Sequence, residues 1–118
     1  MRQFVLLFLA LTLAACAKQD DGEKLEKSVT SWRATLQFVA GARLGNEVGA
    51  GFARKTIDAA IEDLTTQTAA PSLPKELTAR AEKVIGAAGE LRRAIESDDR
   101  AGIARARGEL AEEPAKSQ

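Results

Sequence analysis

The sequence predicts an all-α protein: a small antiparallel bundle of two helical hairpins, three long helices plus a short C-terminal one. Large apolar residues recur at alternating spacings of three and four, which lines them along one face of a helix. Alanine, the strongest helix former, is the commonest apolar residue. Helix-ending residues cluster at Gly45-Asn46, at Ala70-Pro71-Ser72-Leu73-Pro74 and at Ser97-Asp98-Asp99, and no run alternates with the two-residue period of a strand.

The chain begins with a short positive start, Met1-Arg2-Gln3, and an apolar run over 4–16 broken only by Thr12. The run is about a dozen residues long, short of the ~20 that span a bilayer, and Lys18, Asp20 and Asp21 follow at once. Such a start, run and small-residue end mark a secretory signal peptide. Its end, Leu13-Ala14-Ala15-Cys16, resembles the lipobox of bacterial lipoprotein precursors: a branched apolar residue, two small residues, then cysteine. The resemblance covers the first sixteen residues and matches at each lipobox position. It implies diacylation of the Cys16 sulfur, cleavage between Ala15 and Cys16, and a new amino group open to acylation. One acyl chain gives only reversible membrane binding, whereas two or more hold a protein stably. In similar lipoproteins an aspartate after the cysteine retains the protein at the inner membrane; Ala17 stands there instead, which implies an outer-membrane anchor facing the periplasm. The expected organisation is thus a signal peptide (1–15), a lipidated cysteine and polar tether reaching about 20 Å (16–21), the bundle (22–113) and a disordered tail (114–118).

The first helix is expected to start at Asp21 or Gly22 and to end near residue 44, with Leu25, Val29, Trp32, Leu36 and Val39 on its seam and Phe38 off it. Asp20 and Asp21 suit its N-cap and Glu23 its dipole. Gly41, Gly45 and Gly49 recur every four residues, but Arg43, Asn46 and Glu47 among them exclude a membrane span. These glycines read as the end of the first helix and a turn around Gly45-Asn46. A second helix over 51–68 puts Ala53, Ile57, Ala60, Ile61 and Leu64 on one face, flanked by Phe52. Pro71 and Pro74 break the chain, with Ser72 as the N-cap of the third helix. That helix, over 74–96, carries the most regular seam: Leu77, Ala81, Val84, Ala88, Leu91 and Ile95. Gly86 to Gly89 leave a narrow waist in it that invites close approach by another helix. Ser97-Asp98-Asp99 restart the chain as a fourth helix over 99–112, with Ile103, Ala106 and Leu110 inward and Pro114 as its stop.

Composition closes off several functions. The 118 residues hold 17 basic and 17 acidic side chains, and a balanced chain is no electrostatic binder of nucleic acid. The lone cysteine rules out an internal disulfide, and with no histidine neither a His-ligated metal site nor a Ser-His or Cys-His pair can be built. From Cys16 onward 41 of 103 residues are apolar and 20 of those are alanine. Alanine buries little area, so the core is lean and the sequence hints at support from a partner or from self-association.

Four groups could carry chemistry, and each has a plainer reading. Arg92, Arg93, Arg100, Arg105 and Arg107 could meet an anionic partner, but Glu90, Glu96, Asp98, Asp99 and Glu109 interleave with them, as on a solvated face. Asp58, Glu62 and Asp63 could bind a cation or move protons, but no second positioned group is legible. Trp32 could stack on a ligand ring; its place on the seam favours burial, with a partner for its indole N–H. Ser28 and Ser31 lie near Lys24 and Lys27, a pairing common by chance on a polar helix face.

The sequence therefore predicts a non-enzymatic, membrane-anchored lipoprotein of the cell envelope without cofactor or metal. Its expected partners are the bilayer, through acylated Cys16, and an envelope protein or a second copy of the chain. The alternative is a carrier of an apolar small molecule or lipid between the helices.

Overall fold

The structure is a computed structural model that describes residues 20–112; the lipobox residues Leu13 to Cys16, the cleavage point at Ala15 and the tail from Pro114 lie outside the described residues. Four helices follow one another: α1, Asp21–Leu44; α2, Ala50–Thr68; α3, Lys75–Glu96; and α4, Arg100–Ala111. They form an all-α four-helix bundle, and no described residue lies in a strand.

Local chemistry sets the helix ends. The Asp20 carboxylate accepts from the Gly22 N–H at 3.2 Å and caps α1, with Asp21 and Glu23 in the first turn and Arg43 in the last, as the helix dipole favours. At the other end Asn46 takes φ 59°. Its N–H bonds the Arg43 carbonyl at 3.1 Å and the Glu47 N–H bonds the Ala42 carbonyl at 2.7 Å. That pair of bonds is a Schellman motif. The turn falls at Gly45-Asn46 as the sequence indicates, but the left-handed residue is Asn46, while Gly45 sits at φ −84°. The end of α3 repeats the device: Asp98 takes φ 54°, and the N–H groups of Asp98 and Asp99 bond the Ile95 and Ala94 carbonyls. Asn and Asp tolerate this region because their short polar side chains bond locally.

Three sequence expectations need correction. Ser72 does not cap α3; it takes φ 69°, and Pro74 stands at the N-cap with extended backbone. An N-cap oxygen must reach the second or third helical N–H, and the rigid φ of Pro74 puts Ser72 two residues too early. Of the small residues Gly86, Ala87, Ala88 and Gly89 expected as the waist of α3, Ala87 and Ala88 are buried in the core, whereas Gly86 is exposed and a Cβ there would meet nothing. The fourth helix is slightly shorter than expected, because Asp99 is its N-cap, bonding Gly102 N–H at 3.0 Å, and Glu112 its C-cap.

The seam residues meet in one core. Leu25, Val29, Leu36 and Val39 of α1, Ala53, Ile57, Ala60 and Leu64 of α2, Leu77 to Ile95 of α3, and Ile103, Ala106 and Leu110 of α4 are buried together. Trp32 and Ile61 are only partly buried against it. Each helix packs on its sequence neighbour and α4 returns to α1, closing the bundle; α1 also touches α3, whereas α2 and α4 do not touch. Thus α1 and α3 form a close diagonal, and α2 and α4 occupy opposite corners. Small residues such as Ala40, Ala81 and Ala88 are fully buried in the core. The tightest junction is at Gly102, where a Cβ would lie 3.0 Å from that of Ala94 and 2.5 Å from Asp99 Oδ2.

Candidate functional site

The α1–α2 junction carries a polar strip. Trp32 and Ser28 stand four apart on α1, Asp63 and Gln67 four apart on α2, so each pair shares a face. The Trp32 indole Nε1–H donates to Asp63 Oδ2 at 2.8 Å. Gln67 Nε2–H donates to Ser28 Oγ at 2.7 Å and to both Asp63 oxygens at 3.1–3.2 Å. Trp32 is half-buried, and its indole has the partner that its position requires. The Ser28 hydroxyl meets an amide and not a lysine, so the strip locks two helices together and supplies no activated nucleophile.

The other sequence candidates are dispersed. Asp58 turns to α3, where its Oδ1 lies 2.7 Å from Arg92 Nε, while Asp63 turns to α1 and Glu62 is exposed. The three acids do not converge. Arg92 also pairs with Glu96 at 3.3 Å; Arg100 donates to the Leu44 carbonyl; the Arg107 guanidinium lies over Gly41. Arg92 thus serves the α2–α3 junction, and Arg100 and Arg107 the α1–α4 junction. Among the described residues no group of three or more Cys, His, Asp or Glu could hold a metal ion.

Sequence reasoning missed one pairing. Glu90 of α3 and Glu109 of α4 face an open groove of about 430 Å³ that Arg93, Ser97, Asp99 and Arg105 also line. The Glu109 carboxyl is held above its ordinary value, first by its hydrogen bond with Glu90, then by desolvation and the charge of Glu90; Arg105 pulls the other way. Both residues are polar and off the seams, so nothing in the spacing announces the pairing. The space between Val29, Val84, Ala87 and Leu110 is about 10 Å³, room for about one water molecule. Small-molecule sites commonly offer ~300–1,000 Å³, so this apolar cleft has no room for a carried ligand.

Two large apolar side chains stay outside: Phe38 is 69% and Phe52 57% exposed. A helical residue turns by about 100° from the last, so Phe38, two beyond buried Leu36, points away from the core. Phe52 precedes Asp63 by eleven residues, about three turns, and so shares the α1-facing side of α2. The contacts Trp32–Asp63 and Ser28–Gln67 set the antiparallel register. Phe38 is therefore level with residue 57 and Phe52 with residue 43, about 7 Å apart along the helix axes. Both belong to the outer face of the α1–α2 hairpin. Lys27, Ser31 and Ala34 share the strip of Phe38, Lys24 flanks it, and Lys55 and Ala59 follow Phe52; the three lysines are exposed.

No described helix is long and apolar enough to cross a membrane. Comparison of the chain with protein-family models, curated proteins and solved structures finds no match.

Proposed function

We propose that this chain is the precursor of a bacterial lipoprotein. The mature protein holds a non-catalytic helical bundle at the envelope membrane through acylated Cys16, and the bundle serves as an interaction module. The observation that carries this reading is Leu13-Ala14-Ala15-Cys16 at the end of a short apolar run with a basic start. Ala17 after the cysteine favours an outer-membrane anchor facing the periplasm. The bundle supports a binding role: Ser28, Asp58, Asp63 and Arg92 serve helix junctions, and exposed apolar surface lies at Phe38 and Phe52.

Intact mass spectrometry of the membrane-extracted protein tests the anchor. The expected mass is that of residues 16–118 plus acyl chains, and Cys16→Ser should lose both the added mass and the membrane association. A cleaved chain without acyl groups would make the protein a secreted bundle and remove the anchor from the account.

A further inference from the structure

The exposed face of the α1–α2 hairpin asks for an occupant, and three observations choose among them. The first is area. At 69% and 57% exposure, two phenylalanines offer on the order of 250 Å², well short of the ~800 Å² per partner in a stable protein pair. Two rings alone do not make the apolar centre of a stable pair, but they suffice for a surface against which the chain is already tethered. The second is charge: exposed Lys55 follows Phe52 by three residues, exposed Lys24 and Lys27 lie on the same face nearer the start of α1, and Asp63 is engaged by Trp32 and Gln67. Glu62 borders the face, and Glu23 lines the surface groove that also holds Lys27 and Ser31. The third is reach. Cys16 is four residues before Asp20, about 14 Å of extended chain. Phe38 lies about 26 Å along α1 from its first residue, so an upright bundle would hold both rings far from the bilayer, and a recumbent one would lay them on it.

We propose that the bundle lies flat on the membrane, with the outer face of the α1–α2 hairpin docked on the anionic headgroup surface and the rings of Phe38 and Phe52 inserted below it. This inference rests on the anchor proposed above and names the surface that the bundle first meets. Aromatic rings with lysines on the same face suit such an interface: the rings enter the boundary between headgroups and acyl chains, and the ammonium groups stay with the phosphates. The tether then supplies the stable attachment and the face supplies orientation. It presents α3, which packs across the diagonal on α1, to the periplasmic side.

The test uses the full lipidated protein in vesicles of phosphatidylethanolamine and phosphatidylglycerol. Cys16 is the only cysteine and acylation blocks its thiol, so Phe38→Cys, Phe52→Cys or Glu82→Cys each adds one free thiol for a nitroxide label. All three positions are exposed, and circular dichroism checks that each variant folds. Labels at 38 and 52 should collide several-fold more readily with oxygen than with a water-soluble nickel chelate, while the label at 82, on the outer side of α3, should show the reverse. Making Lys24→Glu, Lys27→Glu and Lys55→Glu together should return the labels at 38 and 52 to the aqueous pattern. If the acylated mass is right and those labels are aqueous in the unaltered background, the docking fails and the anchor stands. Dipolar broadening between labels at 38 on different copies would mean self-association and would also overturn the docking. A protein without acyl chains removes the anchor, and the docking with it.

Discussion

Asp63 ties α2 to α1. It accepts from Trp32 on one helix and from Gln67 on its own, and a hydrogen bond to a charged group contributes more than a neutral one. Asp63→Ala removes both at once and leaves a half-buried indole N–H without its acceptor. The expected cost is about 1–2 kcal/mol, seen as a thermal midpoint lower by roughly 4–8 °C per kcal/mol. A red shift in Trp32 emission should accompany it as water replaces the carboxylate. Trp32→Phe removes the donor together with part of the indole ring system, so its cost includes lost packing; a loss well above that of Asp63→Ala would mean that packing, and not the hydrogen bond, holds this junction. The need of Trp32 for a partner was legible in the sequence, because an indole on a seam must satisfy its N–H. The identity of that partner was not. Spacing shows which residues share a face of their own helix, and says nothing of which helix that face will meet or at what height.

At the scale of the element, boundaries were the most legible part of the fold. The periodic seams of Leu25 to Val39 and Leu77 to Ile95 define α1 and α3, because a missed turn in either would bring charged residues into the core. The junctions were less legible. Asn46 and Asp98, not glycines, take the left-handed positions, since several residue types can end a helix and composition does not rank them at a given site. The pairing of Glu90 on α3 with Glu109 on α4 was hidden as well, and it gives that junction a pH dependence. The folded Glu109 carboxyl titrates above its ordinary value, mainly through Glu90. Its contribution is therefore fully present below the unfolded carboxylate range and is lost as pH rises through its own raised titration. Stability should fall gently over that window, with a small amplitude because solvent and salt screen the open groove. Glu90→Gln should bring the Glu109 side-chain carbon titration down toward the ordinary range by NMR and flatten that fall. An unchanged Glu109 titration in the variant would dissociate the two residues.

At the scale of the whole molecule, the lean, alanine-rich composition is met by the close diagonal of α1 and α3. Alanine contributes little area per residue, so the bundle gains by bringing backbones together, and Ala40, Ala81 and Ala88 are fully buried in its core. Which pair would close was not legible, because all four helices carry small residues. The same limit applies to the outer face: Phe38 and Phe52 each stand off a seam in the sequence, and only the α1–α2 register puts them side by side.

The missing contact between α2 and α4 has a kinetic consequence. A bundle whose outer corners do not touch has no direct route by which the release of one loosens the other. Each corner can open on the α1–α3 pair as a separate unit, as in proteins whose parts exchange their amide protons with distinct opening energies. Twelve-residue α4, the shortest helix, should release its amides first, α2 next, and the buried stretches of α1 and α3 last and together. Native-state hydrogen exchange would show this as three separate isotherms in low denaturant. A single merged isotherm would mean that the four helices open as one. On a membrane the order has a direction: a docked hairpin would hold α2 closed, and α4 would be the part free to breathe toward whatever approaches from the periplasm.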